Sequence, residues 1–321
     1  MVTIDNNFYM QLALDEAWKY QGLTYPNPAV GCSVVGKHGE ILAVEAHHKA
    51  GEAHAEVNAL KSAYYKLTND AKILDIEKSS DIHIFLLENS NNIFIDCSIY
   101  TTLEPCTSKG KTPACADLIH NLNIKNVYIG SHDNYQTSNV YDAKNIVLEN
   151  KCDELLEPFN LWQKDKFVFF KWAQRLDASS NGSVSTYESK KQVHAMRDVC
   201  DLLVIGGNTV REDRPTLNAR LVNGNAPDVL IYSRTKEFDE TIPLFSIENR
   251  KVMISDSLET LNNYKNIMIE GTQNMMDLTK DIVDFNLCYL NYTDKFELLN
   301  TKKEDQDIIM WMKHKLIKEE V

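Results

Sequence analysis

His54, Glu56, Cys106 and Cys115 are the residues of this 321-residue chain whose types and spacing can do chemistry together. One imidazole and two thiolates fill three positions of a tetrahedral zinc ion and leave the fourth for water. Glu56 follows two residues after the histidine in His54-Ala55-Glu56, where a carboxylate stays free to carry protons. Zinc brings the pKa of a bound water to about 7, so a nucleophile and a general acid/base are supplied together. A closed structural site is the plainer alternative, but it wants a fourth Cys or His close by. Cys97, in the middle of strand-like sequence, is the nearby candidate.

Donors of this kind have to be held by regular elements. Asp5 is a suitable N-cap for a helix carrying Met10, Ala13, Ala17 and Tyr20, which Gly22 closes. The turn Tyr25-Pro26-Asn27-Pro28 leads into a buried strand over 30–35, with 41–46 as its hairpin partner. Val57, Leu60, Tyr64 and Leu67 mark one helix face, which puts His54 and Glu56 at a helix N-terminus. Residues 68–92 read as a polar, irregular surface insertion. Strand character resumes over 93–95 and 99–102. Pro113 then opens a helix with Cys115, Leu118, Ile119 and Leu122, and 127–129 is another short strand.

The pattern loosens around 157–166, which predicts one domain over 1–157 and a second over 166–321. The second is expected to hold strands over 167–172, 202–205, 229–232, 252–254 and 267–269, and a helix over 187–198 bearing His194 and Arg197. Gly206-Gly207 after a strand is either a plain turn or a phosphate cradle. The nearby Arg197, Arg211, Arg214 and Arg220, grouped around Asp213, either pair on the surface or receive a phosphate.

Composition sets the outer limits. The chain is long enough for about two cores, and 43% hydrophobic with 25% charged residues is ordinary for a soluble protein. No apolar run is long enough to span a membrane, and MVTIDNNFYM lacks the basic-then-apolar start of a secretory signal. Seven scattered cysteines fit reduced thiols in the cytoplasm. A net charge of −12 argues against a nucleic-acid binder while leaving room for one phosphate on a small substrate. The expected partner is therefore a small phosphorylated molecule, with no nucleic acid and no membrane; a homo-oligomer is a separate expectation that neither composition nor charge supplies.

His-x-Glu followed by Pro-Cys and a second Cys is the arrangement of zinc-dependent deaminases, although here the cysteines stand nine positions apart. Residues 9–130 resemble the deaminase half of the bifunctional riboflavin-biosynthesis deaminase/reductase family. The matching pieces are Tyr9-Met10, Pro26-Asn27-Pro28, Val30-Gly31-Cys32, Ala50-Gly51-Glu52 with His54-Ala55-Glu56-Val57, and Thr102 through Cys106 to Gly110-Lys111-Thr112-Pro113-Ala114-Cys115. The second half is similar to that family's NADPH-dependent reductase. It matches at Lys171, Leu176-Asp177, Val193-His194, Arg197, Gly206, Thr209-Val210, Asp213, Pro215, Leu217, Arg220, Ser233 and Glu270-Gly271. Ala178, Ser183, Arg214 and Thr272-Gln273-Asn274 depart from the family pattern.

The resemblance implies an α/β protein: a cytidine-deaminase-like three-layer zinc domain, then a shortened dihydrofolate-reductase-like α/β domain. It implies deamination of 2,5-diamino-6-ribosylamino-4(3H)-pyrimidinone 5′-phosphate with zinc, then reduction of the ribosyl chain to ribityl with NADPH. His54, Cys106 and Cys115 would bind the metal, with Glu56 as the catalytic proton carrier. Asn27, His47 and Lys111 would meet the first substrate. Arg197, Leu217, Arg220 and Glu270 would hold the second, and Thr209, Asp213, Ser233 and Gly271 the dinucleotide. The alternative is a deaminase alone, its second domain only binding or dimerising. A nucleoside or tRNA deaminase and a zinc-containing metabolite sensor are more distant rivals.

Overall fold

The computed structural model describes residues 4–108, 110, 112–136, 145–180, 182–292 and 296–314. The chain divides into two compact units, Met1–Asp165 and Lys166–Val321. Neither contains, among the described residues, a helix long and apolar enough to cross a membrane.

The first unit is built on a four-stranded sheet in the order β2-β1-β3-β4: β1 (Gly31–Val35), β2 (Ile41–Ala46), β3 (Ser98–Thr101) and β4 (Asn126–Ile129). β1 runs antiparallel to both β2 and β3, and β3 runs parallel to β4. Side chains alternate across the sheet. Cys32, Val34 and Ile99 pack under α2 (Ala55–Thr68), α3 (Ser79–Asn89) and α4 (Cys115–Asn121), while Val35 and Tyr100 pack under α1 (Asn6–Trp18) and α5 (Glu149–Lys164). This is a three-layer α/β arrangement. Asp5 caps α1, its carboxylate accepting from the Phe8 N–H at 3.1 Å. Gly31 lets α1 lie directly on β1: a Cβ there would sit 1.8 Å from the Ala13 carbonyl oxygen.

Two expectations fail here. Residues 68–92 are not an irregular insertion; they hold a 3-10 turn (Ala71–Asp75) and α3, with Ile73, Ile82 and Leu86 sealed into the core. Residues 93–95 turn instead of forming a strand. Within the expected 157–166 boundary, α5 runs through Pro158 to Lys164 and buries Leu155, Leu156 and Trp162, and the division between units falls after Asp165.

The second unit is a six-stranded parallel sheet in the order β10-β5-β9-β6-β7-β8. Its strands are β5 (Phe167–Arg175), β6 (Leu202–Gly206), β7 (Asp228–Tyr232), β8 (Val252–Ser255), β9 (Asn266–Glu270) and β10 (Phe285–Asn291). Helices α6 (Tyr187–Val199), α7 (Gly207–Asp213) and α8 (Gln273–Thr279) connect them. Val168, Phe170, Leu202, Val204, Leu230, Ile267 and Ile269 pack on one face, and the alternating Phe167, Phe169, Leu203, Ile205, Val229, Ile231 and Met268 are buried as well, giving the near-continuous apolar runs that a two-sided parallel sheet requires. β11 (Phe296–Glu304) and β12 (Asp307–His314) form a separate antiparallel hairpin.

Candidate active sites

In the first unit, His54 is the residue immediately before α2, with extended backbone, and Glu56 lies in the first helical turn. Cys115 opens α4, and Cys106 is tied to that helix start by two backbone bonds. The Ala116 N–H donates to the Cys106 carbonyl at 3.1 Å, and the Cys115 N–H to the Cys106 sulfur at 3.3 Å. The ligand atoms of His54, Cys106 and Cys115 all lie within 4.8 Å of one another. The Nδ1 of His54 stands 3.7 Å from the Cys106 sulfur and 3.5 Å from the Cys115 sulfur. Tetrahedral zinc with Zn–S of about 2.3 Å and Zn–N of about 2.05 Å requires an N···S edge of about 3.6 Å. The donor set and its spacing fit zinc.

The protonation chemistry agrees. The Cys115 S–H bonds to Cys106 and, with the Cys115 N–H and His54, holds the Cys106 thiol at about 4 against its burial. Cys115 is pushed up because it shares its proton with Cys106 and is itself buried. The pair thus gives up its first proton readily, as a metal ligand must. The far nitrogen of His54, Nε2, lies 3.3 Å from the Thr112 hydroxyl, which fixes the ring.

A cavity of about 250 Å³ opens beside these donors, lined by His54, Glu56, Cys106, Asn27, His47 and Phe159 among others. Glu56 is 4% exposed, and burial pushes its carboxyl up to about 7. His47 is also buried, and its Nδ1 faces the Ala53 carbonyl at 3.0 Å. A carbonyl only accepts, so Nδ1 carries the hydrogen, and Nε2 accepts from the Asn27 amide at 3.1 Å. Burial lowers this imidazole to about 4, keeping it neutral. Lys111 lies outside the described residues. Asp133, Phe159 and Gln163 also line the cavity and were missed from sequence. The last two belong to α5, in the 157–166 stretch where the domain boundary is expected.

In the second unit the carboxyl ends of β5, β9 and β6 meet at a cavity of about 550 Å³. Glu270, the last residue of β9, pairs in register with Lys171 on β5 and Ile205 on β6. Arg197 from α6 reaches it with two bonds, 3.0 Å from Nε and 2.7 Å from Nη2, while Lys171 Nζ stands 3.8 Å away. Burial alone would raise the Glu270 carboxyl; Arg197 and then Lys171 outweigh that and hold it below its usual range. Thr209, Asp213, Leu217 and Gly271 line the same cavity.

Ser233 lies in an adjoining cavity of about 380 Å³ with Gly206, Gly207, Arg211 and Arg234. Thr209, Gly271 and Thr272 border both spaces. Any side chain at Gly207 would strike Ser233, with a Cβ 2.7 Å from its hydroxyl. An elongated crevice at strand ends, with cations at one end, fits a dinucleotide. The arginines do not act as one cluster. Arg211 donates to Ser233, Thr235 and Glu237 and stacks on Phe238, and Arg214 pairs with Asp239. Arg220 is exposed, bonds Asn218, and lies outside the lining of either cavity.

Comparison with known proteins matches each unit to a separate family model. Residues 3–131 match the model of the cytidine and deoxycytidylate deaminase zinc-binding region, and residues 166–308 that of the RibD C-terminal domain. The riboflavin biosynthesis protein RibD of Aquifex aeolicus is 35% identical over 237 residues, 68% of this chain and 58% of that protein. RibD of Actinobacillus pleuropneumoniae is 26% identical over 88% of this chain and 82% of its own length. A crystal structure of the diaminohydroxyphosphoribosylaminopyrimidine deaminase/5-amino-6-(5-phosphoribosylamino)uracil reductase of Thermotoga maritima is 25% identical. It covers 96% of this chain and 98% of its own, with a TM-score of 0.58. The Acinetobacter baumannii RibD structure shares the fold at 22% identity and a TM-score of 0.56.

Proposed function

This chain belongs to the bifunctional riboflavin-biosynthesis RibD family, and from that premise we propose that it carries out both reactions of the family. The first unit removes the 2-amino group of 2,5-diamino-6-ribosylamino-4(3H)-pyrimidinone 5′-phosphate as ammonia. The second reduces the ribosyl chain of the product to ribityl with NADPH. The observation that carries the reading is the His54–Cys106–Cys115 triangle, spaced for zinc, with His54 and Cys106 on the wall of the cavity that also holds Glu56.

When bound, zinc is the Lewis acid that makes water nucleophilic near neutral pH. Glu56 takes the proton of the attacking water and returns protons to the ring nitrogen and the leaving amine. The Asn27 amide and the neutral His47 ring, locked to each other and to the Ala53 carbonyl, form a rigid polar wall that orients the pyrimidine. Lys111 is assigned to the substrate phosphate by its place in the family motif.

NADPH brings the hydride, and the protein's part is alignment. Thr209, Asp213, Ser233 and Gly271 border the dinucleotide crevice, and Arg197, Leu217 and Glu270 face the second substrate. Arg220, exposed and bonded to Asn218, is assigned to the same substrate by its place in the family pattern. Domains over 1–165 and 166–321, a cytoplasmic location and self-association as a homo-oligomer complete the proposal.

A coupled assay tests it. Zinc-loaded protein with the diaminopyrimidine phosphate is expected to release ammonia and, once NADPH is added, to oxidise it in step. Ammonia release without NADPH oxidation would leave a deaminase with a non-catalytic second domain.

A further inference from the structure

Arg250 stands between the 3-10 turn Pro243–Ser246 and β8, and no functional motif includes it. Its Nη1 donates to the Leu217 carbonyl at 2.5 Å, and its Nη2 donates to the Thr216 carbonyl at 2.9 Å and the Leu244 carbonyl at 2.6 Å. Its Nε is buried and has no partner among the described residues, and no carboxylate there forms a salt bridge with it. Burial, and then the charge of Arg197, lower the guanidinium to about 10. A half-buried cation bonded to carbonyls, with the Asp228 charge acting on it from beyond ion-pair distance, is costly, and its charge-assisted hydrogen bonds are the compensation.

The segment it grips is itself under constraint. Leu217 has φ +53, a left-handed backbone that branched side chains seldom adopt. Such a conformation persists only when its surroundings fix it. Leu217 is buried, and with Pro215 it lines the cavity that holds Arg197 and Glu270.

We propose that Arg250 is a positioning residue of the reductase site: it clamps the 216–217 carbonyls so that Leu217 is presented to the pyrimidine substrate. The inference rests on the reductase reading above. The guanidinium touches neither substrate nor cofactor; it sets the shape of the wall they meet. Lysine offers one compact ammonium in place of a planar fork, so it cannot reproduce the whole clamp.

The test uses full-length, zinc-loaded Arg250→Met and Arg250→Lys proteins. Reductase kinetics are measured on the deaminated pyrimidine, with thermal midpoints recorded alongside. Arg250→Met is expected to raise KM for the pyrimidine about tenfold and Arg250→Lys by less, with kcat and KM for NADPH within about twofold. Unchanged KM in both variants overturns the proposal. So does a fall in kcat and thermal midpoint at constant KM, which is the signature of packing alone. If Arg250→Met does not fold, the KM of Arg250→Lys decides. If the unaltered protein oxidises no NADPH, the reductase reading fails separately. Amide exchange at residues 216–218 then decides the clamp: faster exchange in the variants supports it, and unchanged exchange refutes it.

Discussion

Replacing Thr112 by valine removes one hydroxyl from beside the proposed zinc site and leaves every ligand in place. The Thr112 hydroxyl lies 3.3 Å from His54 Nε2, and the residue is 8% exposed. Both sulfurs approach the opposite nitrogen, Nδ1, so metal binding there leaves the hydrogen on Nε2 for the hydroxyl oxygen to accept. The lost bond is worth about 0.5–1.5 kcal/mol, and leaving the N–H unpaired in a half-buried position adds about 1 kcal/mol. At 1.4 kcal/mol per decade, the sum weakens zinc binding roughly 10- to 100-fold. Chelator competition at pH 7.5, with bound metal counted by mass spectrometry, reads the effect; Thr112→Ser is expected to bind like the parent. Affinity within twofold of the parent in Thr112→Val would refute the assignment of Nδ1 as ligand and Thr112 as its support.

Gly31→Ala places a methyl 1.8 Å from the Ala13 carbonyl oxygen, so α1 must move off β1. Thermal denaturation should show the first unit destabilised by about 3 kcal/mol or more, and an unshifted midpoint would contradict that packing. Arg197→Met leaves the largely buried Glu270 with Lys171 at 3.8 Å, so the second unit should lose about 3 kcal/mol, read as a lower urea midpoint. His194 accepts the Leu221 N–H on Nδ1, and burial, with Arg197 and Arg220, lowers it to about 4. Its folded pKa is below its unfolded value near 6.5, so the stability it contributes is full above 6.5 and is lost as pH falls toward 4. Urea midpoints of the second unit should fall across that window, and His194→Gln should flatten the slope; an equal slope in both would reject the shift.

The strands were legible wherever apolar residues run together, as in Leu202–Ile205 and Ile267–Ile269, because a two-sided parallel sheet leaves no room for alternation. The starts of α2 and α4 were legible because their apolar spacing is helical and a proline precedes α4. Those are the elements that carry the zinc donors. α3 was hidden because Asp81-Ile82-His83-Ile84-Phe85-Leu86 is apolar nearly all round and sits between polar stretches, so it has no readable face. α5 was hidden by Pro158, which counts against a helix even though Cys152, Leu155, Leu156 and Trp162 recur at helical spacing. Missing α5 meant missing Phe159 and Gln163. The arginines show a different limit. Arg197, Arg211, Arg214 and Arg220 are close in sequence, but strand and helix directions send only Arg197 to Glu270. Neighbourhood in sequence does not fix where a long side chain ends.

Glu56→Gln tests the central claim most directly, because it keeps size and hydrogen bonding but removes the proton carrier. Zinc content and ammonia release from the diaminopyrimidine phosphate are measured on the same preparation. The variant is expected to hold as much zinc as the parent and to release ammonia at least ~10²–10⁴-fold more slowly. Parent-like turnover at full zinc occupancy would contradict the account.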